Sequence, residues 1–180
     1  TNNYLGKPQY MPTGLKQSSS VVSIGFQALE LAPNTFVQNS IDLNLSPLDR
    51  EVFVVLAVNL DTFTPDAIAG TDTRVNASVS TTSQTAVTDI NSSNCLAAHA
   101  NLIKAAGFVD GGVGFTTGAI ETPPATLDYI GIIATNDFFV QCAGAGNLGS
   151  KGVNGRMWGY RAVADATIYA ALVQSEVLSA

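Results

Sequence analysis

Val37-Gln38-Asn39-Ser40-Ile41-Asp42-Leu43-Asn44-Leu45-Ser46-Pro47-Leu48-Asp49-Arg50-Glu51-Val52-Phe53-Val54-Val55-Leu56-Ala57-Val58 contains two kinds of strand and the turn between them. Val37, Ile41, Leu43 and Leu45 alternate with Gln38, Ser40, Asp42 and Asn44. That is the period of a strand with one buried face and one wet face. Ser46-Pro47-Leu48-Asp49 then reads as a tight turn, with proline where its fixed φ is an advantage. From Glu51 to Asp61 the alternation gives way to an almost continuous apolar run. Such a run predicts a central strand covered on both faces.

Working outward, the same period recurs. Val22, Ile24 and Phe26 alternate with Ser23, Gly25 and Gln27, predicting a strand near 20–31 that ends at a Pro33-Asn34 turn. Val75, Ala77 and Val79 point one way in a strand over Arg74–Thr82. Further strands are expected near 113–121, over Thr126–Thr135, over Asp137–Ala143 and over Val153–Val163, with Thr135-Asn136-Asp137 as a hairpin-like connection. Residues 61–73 read as a loop, and 83–93 are polar without a period. Two stretches read as helix. Leu96, Ala100, Ile103 and Ala106 fall at helical spacing over 94–107, with a strand as the alternative; Ile168, Tyr169, Leu172, Val173, Glu176 and Val177 form a stripe over 165–178, with Asp165 as its N-cap. Many short strands separated by turns indicate an all-β fold, an eight-stranded β-sandwich of jelly-roll type with a short C-terminal helix. Residues 1–18, rich in Asn, Gly, Pro, Gln and Ser, read as an extended N-terminal arm, and 19–180 as one sandwich domain.

Composition narrows the function. Only 12% of the 180 residues are charged, against roughly 25% in an ordinary domain. Ser, Thr, Asn, Gln and Gly must therefore supply the polar surface, and neutral amides and hydroxyls lose far less than charges when water is removed. A net charge of −6 argues against nucleic-acid binding through the folded surface. The arm carries Lys7 and Lys16 and no acid precedes Glu30, but two lysines do not neutralise a genome. The longest apolar run, Val52–Val58, is too short for a helix to cross a bilayer, which takes about 20 residues. No charged-then-apolar leader opens the chain.

No set of residues reads as catalytic, cofactor-binding or metal-binding. Gly144-Ala145-Gly146-Asn147-Leu148-Gly149 matches GxGxxG, but the residues after it are strand-like rather than helical, so a hairpin loop is expected in place of a dinucleotide site. Gly111-Gly112-Val113-Gly114 is followed by no Lys-Ser or Lys-Thr and reads as a turn. His99, the single histidine, sits among alanines without a GxSxG elbow. Asp61, Asp66, Asp72 and Asp110 would need their loops to meet before they held calcium, and they lack the DxDxDG spacing. Cys95 and Cys142 are expected as free buried thiols, a single disulfide being the minority alternative. Sequons at Asn44, Asn76 and Asn91 are expected by chance in a chain so rich in Asn, Ser and Thr. Trp158, Tyr160, Phe138 and Phe139 read as core before they read as a sugar-binding platform.

The Leu48-Asp49-Arg50-Glu51-Val52-Phe53-Val54-Val55 turn-into-strand resembles small viral coat proteins of the single jelly-roll type, as does the closing Trp158-Gly159-Tyr160-Arg161 strand with its helical tail. The resemblance is architectural and spans about 20–163. It implies a self-assembling capsid protein located in the virion, with other copies as partners, no small-molecule substrate, no cofactor and no catalytic residue. The arm and the C-terminal helix are its expected intersubunit elements. The lack of an Arg-rich arm departs from many such proteins, and suits a shell that lies over a membrane or is filled by a packaging motor. The alternative is a surface or secreted lectin-like binding module using the 61–73 and 107–124 loops, extracellular or on the cell surface.

Overall fold

In the computed structural model, which describes residues 13–109, 112–119 and 127–178, ten strands precede one helix. They are β1 (Leu15–Gln17), β2 (Val22–Leu29), β3 (Val37–Asp42), β4 (Glu51–Thr62), β5 (Thr73–Ser80), β6 (Cys95–Lys104), β7 (Val113–Ala119), β8 (Gly131–Ile133), β9 (Asp137–Ala145), β10 (Gly152–Ala164) and α1 (Ala166–Leu178). One sheet runs β2-β10-β4-β8, with β1 continuing the β2 side of β10; the other runs β3-β9-β5-β6-β7. Every pairing between these strands is antiparallel. Without β1 and β7, the order is that of an eight-stranded jelly roll, two four-stranded sheets face to face.

Alternation shows that a strand has a buried face without showing which sheet buries it. The Ser46–Asp49 turn forms, closed by Arg50 N–H to Pro47 O and Glu51 N–H to Ser46 O, both at 3.1 Å. It carries the chain from one sheet to the other. The Thr135–Asp137 connection is likewise no hairpin, because β8 pairs with β4 while β9 pairs with β3 and β5. Among the described residues, the only sequence neighbours that pair are β5 with β6 and β6 with β7.

The main core lies between the sheets. Phe26, Phe53, Val55, Val75, Val79, Phe138, Val140 and Met157 meet there, with the Phe26 and Phe138 rings edge to face at 5.5 Å. A second apolar layer lies outside the first sheet, where Val52, Val54, Tyr160, Ala162 and Ala164 pack under Ile168, Tyr169, Leu172 and Val173 of α1. Residues 52–55 are therefore buried on both faces, as their sequence requires. At Leu56 a bulge changes the parity: Trp158 pairs with Ala57 and Gly159 with Val55. Beyond it Val58 and Leu60 turn toward the main core, while Ala57, Asn59 and Asp61 face solvent.

The helix expected over 94–107 is a strand, β6. Its apolar residues satisfy a helical period, but β5 and β7 flank its backbone and take its hydrogen bonds, which overrides local preference. The C-terminal helix forms where expected, with Asp165 Oδ1 accepting from Ile168 N–H at 2.8 Å. Its apolar stripe covers its own sheet, so that stripe is spent within the chain. Of the expected arm, residues 1–12 lie outside the described residues, and Leu15–Gln17 is strand β1, paired with Ala162–Ala164.

Candidate functional surface

Three uncharged or charge-neutralised surfaces follow from these elements. At one end of the sandwich the 30–36, 63–72 and 146–151 loops meet. Asn34 and Asn147 exchange two hydrogen bonds of 2.9 Å. Asn147 also accepts from Asp66 N–H at 3.0 Å and donates to Arg74 O at 3.0 Å. The Asp66 carboxylate receives Lys151 Nζ at 2.8 Å and the N–H groups of Leu148 and Gly149 at 2.9 and 3.0 Å. The lysine first, then these two amides, lower its pKa from 3.8 to about 2. The GxGxxG loop thus does gather backbone donors around an anion, and the anion is the chain's own Asp66. Glu30, buried nearby, accepts from Thr35 N–H and Lys151 N–H at 2.7 and 2.8 Å.

Part of the outer face of the second sheet, around Gln38, Ser78 and Gln141, is covered by the chain itself. Gln141, fully buried, accepts from Ser78 Oγ at 2.8 Å and donates to Ser80 Oγ and Gln38 Oε1 at 2.7 and 2.9 Å. Thr88 N–H and Gln84 N–H reach Ser78 Oγ and Gln38 Oε1 from the 81–94 segment lying over them. Every side chain in this network is neutral, and neutral groups with partners can be buried at small cost. Beside it a groove of about 350 Å³ is lined by Arg74, Asn76, Thr88, Asp89, Ala98 and Ala100, and the backbone of His99 passes it opposite Ala77.

The first sheet keeps an open half beyond α1. Three rows cross β2, β10 and β4 in register: Ser23–Trp158–Ala57, Gly25–Arg156–Asn59 and Gln27–Asn154–Asp61. Trp158 is half-buried and the other eight are exposed. Only Arg156 and Asp61 are charged, with opposite signs. Gln27 Nε2 donates to Asn154 Oδ1 at 2.7 Å, which ties two of the amides to each other.

The residues singled out from sequence are dispersed. Asp66 is paired as described, and Asp72 receives Lys104 Nζ at 3.3 Å and the N–H groups of Ala105 and Ala106. Those amides lower its pKa. Asp61 lies on the open face, and Asp110 and Gly111 lie outside the described residues. Among the described residues no three of His, Cys, Asp and Glu gather as metal ligands would. Cys95 and Cys142 are both free thiols, Cys142 buried and Cys95 partly so. Burial pushes the Cys142 thiol up to about 12. Phe138 and Tyr160 are core residues, whereas Trp158 and Phe139 are only half-buried. Sequence reasoning passed over Gln141 and the 81–94 cover, since a neutral side chain in a polar stretch carries no signal of burial. Glu176 was visible as the single charge on the apolar stripe of α1. Its carboxylate is buried, accepting from Ala134 N–H at 2.7 Å and Thr135 N–H at 3.1 Å.

No family model matches the sequence, and no curated protein matches it. A solved structure of a chain from Desmodium yellow mottle tymovirus is similar at 15% identity, covering 89% of this chain and 98% of that one with a TM-score of 0.34. A likeness at that level carries no argument about function, and the fold assignment rests on the strand order.

Proposed function

We propose that this chain is a self-assembling structural protein, a coat subunit whose copies close into a viral shell. The observation that carries the reading is the three-by-three grid on the open half of the first sheet. It is held in register by three strands and almost free of charge on a chain of net charge −6. Copies of such a chain repel one another wherever acids meet, and approach at lowest cost where neutral groups can be desolvated. Arg156 and Asp61 on the same grid supply one opposite-sign pair for register. The partners are other copies. With two lysines in its first eighteen residues, such a shell would not neutralise a genome through its arm, and would lie over a membrane or be filled by other means.

The test uses Trp158, the chain's single tryptophan. Association through the grid should shift its emission to the blue as scattering rises with concentration. Trp158→Lys should raise the concentration needed by tenfold or more. Scattering that rises with no change in emission would remove the grid from the contact.

A second reading, a surface-displayed binding module, is favoured by the same half-exposed Trp158 beside Asn59 and Arg156, a place where a sugar ring could stack. It requires the emission to change on adding glycan to a monomeric chain.

A further inference from the structure

We propose that the free edge of β7 is a second contact between copies, pairing antiparallel with β7 of another chain across a two-fold axis. The proposal deepens the self-assembly reading and rests on it. Its evidence is separate from the grid: it comes from how the chain treats its sheet edges.

An open edge offers a row of unpaired N–H and C=O groups, and proteins that stay apart blunt it by shortness, charge, proline, a bulge or a cover. The other edges here are blunted. β8 is three residues long. β1 is equally short and carries Lys16. The edges of β2 and β3 meet, with Asn39 Nδ2 of β3 donating to Gln27 O of β2 at 2.6 Å, and β3 ends in Asp42. Among the described residues β7 has none of these devices. It is seven residues long, reads Val-Gly-Phe-Thr-Thr-Gly-Ala without charge or proline, and runs against β6 with no break in register. Among the described residues β6 is its only strand partner.

Its side chains point to the same partner. Val113 is 48% exposed and Phe115 51%, two positions apart and therefore on one face. Phe108 and Val109 stand exposed just before them, at 50% and 90%. From Ala105 to Ala119 the only charged residue is Asp110. Lys104, where β6 ends, is paired with Asp72. Two copies of a strongly acidic chain can therefore bring this segment together without facing rows of like charge. An isologous pairing also suits it, because one strand then supplies both halves of the contact and the contact closes. Pairing the edges about Thr116 would join two five-stranded sheets into one and set the two Phe115 residues diagonally across the seam on one face, with Val113 farther along it.

The test is cross-linking in the full chain. Thr116 is the midpoint of β7 and is exposed. On a two-fold axis it faces its own copy with Cα atoms about 4.5–5.5 Å apart, within the range a disulfide spans. Thr116→Cys in a Cys95→Ser background should give a disulfide-linked dimer under mild oxidation, whereas Thr64→Cys, equally exposed on another loop, should not. Phe115→Lys, checked by circular dichroism to be folded, should need at least tenfold more protein to assemble. A wild-type chain that assembles while Thr116→Cys stays uncrosslinked and Phe115→Lys assembles normally would overturn the β7 contact and leave self-assembly standing. Equal cross-linking at Thr64 would overturn it too, as mere collision. A wild-type chain that stays monomeric would overturn both.

Discussion

Asp66 and Gln141 satisfy backbone and side-chain groups by opposite means, one charged and near the surface, the other neutral and buried. Asp66 ties the 63–72 loop to the 146–151 loop through Lys151 and two amides, and its pKa falls from 3.8 to about 2. A carboxylate whose folded pKa is depressed stabilises the fold fully above its unfolded pKa, and that stabilisation is lost as pH falls through the folded value. Asp66→Asn should therefore lower Tm at neutral pH, and the gap from wild type should close between pH 3.8 and about 2. A gap that persists unchanged at pH 2 would mean that the charge is not what holds the loops. Gln141→Ala removes one partner from each of two buried serine hydroxyls and leaves the Ser78 O–H without its acceptor. Leaving such groups unsatisfied costs about 1–3 kcal/mol. In a chain of this size that is a Tm loss of roughly 2–12 °C by differential scanning calorimetry. Neither role was legible from sequence. Asp66 looked like a loop acid and Gln141 carried no signal of its own, since the 81–94 segment that lies over Gln141 has no hydrophobic period to betray its path.

Among the elements, the strands with strict alternation were the legible ones. β2, β3, β5, β9 and β10 lie close to where their periods put them, and the apolar run of β4 is covered on both faces. The failure at β6 has a definite cause. Leu96, Ala100 and Ile103 are spaced equally well for a helix, and only the partners on either side decide the matter. The same limit hid the sheet assignment, since Ser46–Asp49 looks alike as a hairpin turn or as a crossover. The C-terminal helix was legible from its stripe, and its attachment was not. Glu176 locks α1 to the end of β8 through the amides of Ala134 and Thr135. Glu176→Ala should free those two amides, raising their hydrogen-exchange rates by about 10–100-fold for a loss of roughly 1–3 kcal/mol. Unchanged protection at both would show that packing of Tyr169, Leu172 and Val173 alone holds the helix.

At the scale of the whole molecule, the scarcity of charge has a distribution. Charges at the loop end are paired off, part of the outer face of the second sheet is a buried neutral network, and among the described residues the grid and the β7 edge are left open and nearly uncharged. A chain whose acids exceed its bases by six would ordinarily spread those acids over its surface to stay apart from its copies. This one leaves two charge-poor surfaces, one a sheet face and one a sheet edge, on different sheets. An isologous contact such as the β7 pairing closes at a dimer, so a second contact on another surface is what lets paired subunits go on to build a shell.

The most direct measurement is the molar mass of the wild-type chain by multi-angle light scattering over a wide concentration range, with negative-stain microscopy of the largest species. The account predicts growth from an 18.7 kDa subunit to regular particles of many copies. A single 18.7 kDa species persisting at the highest concentration would contradict it.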